Sequence, residues 1–161
     1  MDITLATKSD LDIISNLARK IWPVCYGDIL TSDELDNLLE KIYSRENLLY
    51  ETEDLAHVFW IARVDNIPVG YISAYQEKDT VWIKKLYILS EEQGKGYGNT
   101  LMNKAISHFK DLTIISLCVH NKNLSAQNFY KKLGFKITKK LPVKMGDYDF
   151  IDFVMSKPLS K

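Results

Sequence analysis

Apolar positions repeat along this chain with two different periods, and the periods divide it into elements. Leu11, Ile14, Leu17, Ala18 and Ile21 share one face at helical spacing. Thr7 or Ser9 opens that helix as its cap, and Pro23 and Gly27 are expected to break it. Ahead of it, Ile3 to Ala6 reads as a short strand. Thr31-Ser-Asp-Glu34 forms a capping box for a second helix, with Leu35, Leu38, Leu39 and Ile42 as its stripe. The pattern then turns to strands: His57–Val64, Pro68–Tyr75 and Thr80–Leu89, the first two joined by a turn at Asp65-Asn66. Strands this close in sequence pair most economically as an antiparallel meander. Glu91 to Gly98 is polar and glycine-rich. A helix follows with Leu101, Met102, Ala105, Ile106 and Phe109 on one side. Thr113–Val119 is apolar enough to be a buried strand, and Leu124–Leu133 is a helix stopped by Gly134. Phe135–Leu141 and Tyr148–Met155 close the chain as strands. The order is βααβββαβαββ, an α/β (α+β) arrangement.

No repeat, low-complexity stretch or linker divides the 161 residues, so a single domain over 1–161 is expected. A hydrophobic fraction of 46% and a charged fraction of 26% exclude a disordered or fibrous chain. The formal net charge of zero argues against coating nucleic acid through bulk charge. No apolar run approaches the ~18 residues of a membrane span, and no secretory signal opens the chain. Cys25 and Cys118 stand far apart, with no CxxC pair and no zinc-like Cys/His cluster. The expectations are free thiols, a cytoplasmic location, no metal, no membrane or nucleic-acid partner, and a monomer or homodimer.

The segment with the most chemistry is Gln93-Gly94-Lys95-Gly96-Tyr97-Gly98, between a strand and a helix. Glycines let successive N–H groups turn into a concave nest, and the following helix adds the positive end of its dipole. That is either a phosphate site or a bare surface turn. A triphosphate loop requires Ser or Thr after Gly-Lys, and Gly96 stands there instead. A dinucleotide loop requires GxGxxG, and Gly98 comes one position early. A nucleotide-dependent oxidoreductase or kinase therefore fails on spacing.

Gln93-x-x-Gly96-x-Gly98 resembles the Q/R-x-x-G-x-G/A signature of the GNAT superfamily of acetyl-CoA-dependent N-acetyltransferases. Lys85-Leu-Tyr-Ile-Leu-Ser90 is similar to the family's fourth strand. Asn123-x-x-Ala126-x-x-Phe129-Tyr130-x-Lys132-x-Gly134-Phe135 resembles its second motif, in the right order. The resemblance covers roughly Val58 to Met155. A fainter one, around Ile21–Gly27 and the Asp33 helix, is to a bacterial subgroup that includes polyamine acetyltransferases.

The resemblance implies a mixed central sheet whose fourth and fifth strands splay around acetyl-CoA. The pyrophosphate would rest on the N–H groups of Gln93, Gly94, Lys95, Gly96, Tyr97 and Gly98. Leu86, Tyr87 and Ile88 would bond the pantetheine through their main chain, with the Ile88 N–H polarising the thioester carbonyl. Thr100, Lys95 and Lys132 would add phosphate contacts, and Asn123 would cap its helix and touch the pantetheine. Tyr130 would protonate the departing thiolate, with Phe129 taking the core-facing place beside it. Trp22, Tyr26 and Tyr43 either line an amine pocket or pack in the core, and Asp152 is a further acceptor candidate. His57, His120, Glu53, Glu77 and Asp152 are possible proton acceptors by chemistry alone, none of them assigned. His108 suits a helix C-terminus. A covalent acetyl-cysteine route is disfavoured, because Cys118 falls in a strand expected to be buried and Cys25 has no activating histidine. The expected activity is direct acetyl transfer to a primary amine of a small molecule, a polyamine-like cation favoured, or of a peptide. The alternative on the same scaffold is a non-catalytic acyl-CoA-binding module.

The zero net charge conceals a division. From Asp28 to Asp54 nine acidic residues face only Lys41 and Arg45, whereas from Lys84 to Lys144 twelve lysines face only Glu91, Glu92 and Asp111. The acidic run either steers a cationic acceptor or is the solvated face of a helix.

Overall fold

A computed structural model describes residues 1–145 and 148–160, with the side chain of Met145 left aside. Strand β1 (Asp2–Leu5) leads through a short 3₁₀ turn into helix α1 (Leu11–Tyr26). Helices α2 (Ser32–Tyr43) and α3 (Arg45–Glu53) follow. Strands β2 (Val58–Val64), β3 (Ile67–Glu77) and β4 (Thr80–Ile88) form the meander. Helix α4 (Tyr97–His108), strand β5 (Ile114–His120), helix α5 (Leu124–Lys132) and strands β6 (Lys136–Met145) and β7 (Tyr148–Pro158) complete the order. One seven-stranded sheet runs β1-β2-β3-β4-β5-β7-β6.

Two helical expectations need correction. Helix α1 does not stop at Pro23 but continues through it to Tyr26. Ile21 and Trp22 are buried just before the proline, and this packing holds the last turn helical despite the missing N–H. Helix α3 was not anticipated. Ser44 caps it, accepting from the Asn47 N–H at 3.2 Å. It lacks an apolar stripe because one of its two buried side chains, with Leu48, is Glu51. Periodicity cannot detect a helix that buries a charge. The capping box at Thr31 and the left-handed Gly134 after α5 are as expected.

The sheet is covered on both faces. Helices α1, α2 and α3 pack Leu11, Ile14, Leu17, Leu38 and Leu48 onto Phe59, Ile61 and Tyr71. On the other face α4 and α5 pack Leu101, Met102, Ala105 and Tyr130 onto Ile72, Val81, Ile83 and Leu117. Each fully buried aliphatic side chain in these layers contributes ~1.5–3 kcal/mol.

Two irregularities in β4 create the functional region. First, β4 pairs with β5 in parallel only from Thr80↔Ile114 to Ile83↔Leu117. Beyond that pair both strands continue, to Ile88 and His120, without bonding each other. Second, Ser73 pairs with Lys85 while Ala74 pairs with Ile83, so Lys84 is an extra residue in β4. This bulge reverses the alternation. Val81 and Ile83 face α4 before it, and Leu86 and Ile88 do so after it. Lys84, Lys85 and Tyr87 are left on the opposite side, where strand splay has opened a gap.

Candidate active site

Two clefts meet at the gap. One, of about 490 Å³, runs from the glycine loop past Cys25 to Tyr130. The other, of about 590 Å³, lies between α1–α3 and the open ends of β4, β5 and β7. Leu86, Tyr87, Asn123, Ala126 and Tyr130 line both.

In the first cleft Gly94 and Gly96 have φ of +79° and +83°, and a Cβ on either would meet nothing within 4 Å. The backbone therefore presents an open concave surface, with Gly96 as the N-cap of α4, which suits a bound phosphate. Gln93 donates its side-chain amide to the Ile88 carbonyl at 3.2 Å, tying the loop to the end of β4. Ile88, Gln93, Tyr97 and Gly98 line this cleft. The other expected phosphate contacts are arranged differently. Lys95 is exposed and pairs with Glu92 at 2.9 Å. The Thr100 hydroxyl donates back to the Gly96 carbonyl at 3.0 Å. Lys132 is exposed and lines neither cleft.

Phe129 and Tyr130 exchange the places expected of them. Phe129 is 37% exposed and closes over Gly98, whereas Tyr130 is 8% exposed and packs edge-on against Phe135. Helix α5 meets the sheet on the Gln127 and Tyr130 side, and the ring of Tyr130 spans the core while still bordering both clefts. Burial, and then Cys25, push the Tyr130 phenol well above the usual tyrosine range, so it remains a proton donor. Asn123 caps α5, its Oδ1 accepting from the Ala126 N–H at 3.2 Å, while its Nδ2 points to Cys25 Sγ at 3.7 Å.

The second cleft is walled by aromatics. Trp22 and Tyr26 pack at 4.8 Å between ring centres, and the Tyr26 and Tyr87 hydroxyls meet at 2.9 Å. Tyr43 is fully buried with its hydroxyl 2.6 Å from that of Tyr71. The floor holds a group no motif announced. Lys85 is buried and donates to Glu51 Oε1, whose other oxygen accepts from Asn47 at 3.0 Å. The signal was present only as two adjacent lysines in a strand. Burial opposes both charges. In Glu51 it is outweighed by His57 and Lys85, which hold the carboxyl below its usual range. In Lys85 burial prevails over Glu51 and lowers the ammonium.

Of the proton-acceptor candidates, His120 and Asp152 line this cleft, as cross-strand partners on β5 and β7. Burial raises Asp152 against the opposing pull of His120 and Lys84, and burial lowers His120. His120 Nδ1 accepts from the Lys122 N–H at 3.1 Å, so its neutral ring carries the proton on Nε2. His57 is buried, stacked on Tyr75 at 4.6 Å, and reaches neither cleft. Glu53 and Glu77 are exposed and line neither. His108 sits in the last turn of α4 against Trp60. Cys118 is exposed in the second cleft, not buried as expected, because alternation turns it from the core side held by Leu117 and Val119. Burial raises both thiols, which leaves them poor nucleophiles.

A glycine nest, splayed strands and a buried tyrosine at the junction of two clefts describe an acyl-transfer site. Residues 14–135 match the acetyltransferase (GNAT) family, and the chain belongs to it. It is accordingly an acyltransferase with acetyl-CoA as co-substrate. A spermidine N(1)-acetyltransferase of Thermoplasma acidophilum is 28% identical over 163 residues, spanning 98% of this chain and 96% of the relative. The crystal structure of PaiA N-acetyltransferase from the same organism, in complex with coenzyme A, superposes with a TM-score of 0.82 at 27% identity, over 99% of this chain and 100% of that one. The ribosomal-protein-S18-alanine N-acetyltransferase of Escherichia coli shares the fold at a TM-score of 0.73 and 13% identity, over 99% and 94% of the two chains. Among the described residues no group of three or more His, Cys, Asp or Glu is placed to hold a metal ion, and no helix is long and apolar enough to cross a membrane.

Proposed function

We propose that this protein acetylates a primary amine of a small molecule or peptide by direct transfer, with acetyl-CoA in the first cleft and the acceptor in the second. The observation that carries this reading is Tyr130, which borders both clefts at their shared wall. Acetyl-CoA bound there has its pyrophosphate on the nest from Gln93 to Gly98, its pantetheine along Leu86, Tyr87 and Ile88, and Asn123 beside it. Lys95, Thr100 and Lys132 have a smaller part, their polar ends being engaged elsewhere or turned to solvent. Attack by a neutral amine on the thioester carbonyl gives a tetrahedral intermediate, stabilised by the Ile88 N–H. Its collapse forms the amide and breaks the C–S bond; the departing thiolate takes its proton from Tyr130, and the proton shed by the nitrogen passes to solvent water, from which the phenol is reprotonated.

Trp22 and Tyr26 border the acceptor, and Asp152 is the group we assign to the amine. His120 is a hydrogen-bond donor into the same space rather than the base, since its Nδ1 lone pair is taken. A non-catalytic binding module is disfavoured, because such a module has no use for a protonated phenol at the junction.

A thiol-release assay with acetyl-CoA against polyamines, amino acids, aminoglycosides and peptides with free amines tests the reading. Release with at least one acceptor class supports it, and silence across the panel returns the binding-module reading. The spermidine acetyltransferase among the relatives makes polyamines the first class to try.

A further inference from the structure

The charges that meet in the acceptor cleft differ from those expected of a polycation site. Of the nine acidic residues between Asp28 and Asp54, Glu51 alone lines the cleft. Seven of the others (Asp28, Asp33, Asp36, Glu40, Glu46, Glu53 and Asp54) are exposed, Glu40 and Glu53 being paired with Arg19 and Lys8. Glu34 is taken up in the capping box of α2. Glu51 itself is consumed by Lys85 and Asn47. What remains on the walls is Asp152 against two lysines, Lys41 on α2 and Lys84 on β4.

Lys84 is the more telling of the two. It is the bulge residue of β4, at the point where β4 leaves β5. The bulge puts it on the same side as Lys85, but Lys85 lies under α3 while Lys84 stands exposed on the open floor. Among the described residues its ammonium forms no ion pair with a carboxylate, whereas the pairs of this protein reach out to 3.9 Å. Its charge is nonetheless felt by Asp152 and Cys118 across the splay. A cation on β4 and an anion on β7, the strands on either side of β5, neither in an ion pair among the described residues, are the complement of a ligand that carries both signs.

Resting on the acyl-transfer reading, we propose that the acceptor is an amine that also bears a carboxylate, as in an amino acid or a short peptide, and that Lys84 is the residue that selects it. Asp152 faces the amine and Lys84 the carboxylate. A simple polyamine satisfies Asp152 but places a second ammonium near Lys84, where like charges repel.

The test compares acceptors that differ only by that carboxylate: lysine against 1,5-diaminopentane, and ornithine against 1,4-diaminobutane. Each is titrated calorimetrically into CoA-saturated protein and separately assayed for thiol release from acetyl-CoA. Wild type is expected to bind the carboxylated member at least ~10-fold more tightly, a difference of about 1.4 kcal/mol. Lys84→Gln should bring the ratio near one, and Lys84→Glu should reverse it in favour of the diamine. Lys84 is exposed, so thermal unfolding of both variants should match wild type. Equal or stronger binding of the diamine by wild type overturns the proposal. So does a ratio unchanged in Lys84→Gln, which is what a lysine that merely neutralises Asp152 gives, and so does failure to bind either member. Selective binding without thiol release for any acceptor upholds Lys84 and overturns the acyl-transfer reading instead.

Discussion

Lys85 of β4 and Glu51 of α3 form a buried ion pair beneath the second cleft, joining the N-terminal helices to the sheet, with the buried His57 3.7 Å from the same carboxylate oxygen. The bulge at Lys84 makes it possible by turning Lys85 away from the α4 layer. Removing one partner leaves the other charged and buried. Glu51→Ala should therefore cost about 3–5 kcal/mol of unfolding free energy, while the double variant Glu51→Leu/Lys85→Met should recover most of it. Urea denaturation of the three proteins decides, and a mild single substitution would show the pair to be solvated. The pH dependence has a definite sign. Glu51 has a lower pKa in the folded chain than in the unfolded one, so its contribution is complete above the usual glutamate value of ~4.3. It is lost as the pH falls through the folded pKa. Wild type should lose stability in acid more steeply than Glu51→Gln.

Tyr130→Phe keeps the ring against Phe135 and removes only the proton donor. General-acid loss predicts a fall in kcat of roughly a hundredfold or more, with calorimetric affinity for CoA changed by less than about threefold. Because burial raises the phenol, the wild-type kcat profile should not fall on the alkaline side up to about pH 10, the ordinary tyrosine value. Turnover that survives the substitution would show the assignment to be wrong, whereas an alkaline fall below pH ~10 that the substitution abolishes would show that Tyr130 is the acid but that its phenol is not raised.

Gly96→Ala separates strain from occupancy. At φ of +83° an alanine costs about 1–2 kcal/mol. The new Cβ meets no protein atom, but it occupies the space offered to phosphate. Melting should fall modestly while CoA affinity falls at least ~10-fold, more than strain alone explains. Equal losses in the free and CoA-bound protein would argue against a phosphate on this nest.

Asn123 has two jobs that Asp and Ala distinguish. Asn123→Asp keeps the oxygen that caps α5 and loses the donor toward Cys25. Asn123→Ala loses both and should cost ~1 kcal/mol of stability from the cap. If the amide also holds pantetheine, both variants should raise the KM for acetyl-CoA. If capping is its whole role, only the alanine variant should differ from wild type.

Local chemistry was legible in the chain because it depends on neighbours a few residues away. The Thr31 capping box, the Gly134 stop, the meander around Asp65-Asn66 and the glycine nest all require only short-range steric and hydrogen-bonding rules. The two motifs of the glycine loop and α5 lie on their expected elements for the same reason. What the sequence by itself determined was thus the order of most elements, the loop that suits a phosphate and the family the chain belongs to.

The tertiary structure decided which way side chains face and which charges meet. Adjacent residues on a helix differ by about 100°, so the angle at which α5 meets the sheet, not the motif, chose Tyr130 over Phe129 for burial. One extra residue in β4 put two lysines on one face, and only the arrival of α3 from thirty-four positions away made one of them a buried partner. The acidic run looked like a cation site because charge can be counted along a chain. Whether it lines a cleft depends on which helix face turns inward, and here that face carries Leu35, Leu38, Leu39 and Tyr43, leaving the carboxylates to solvent.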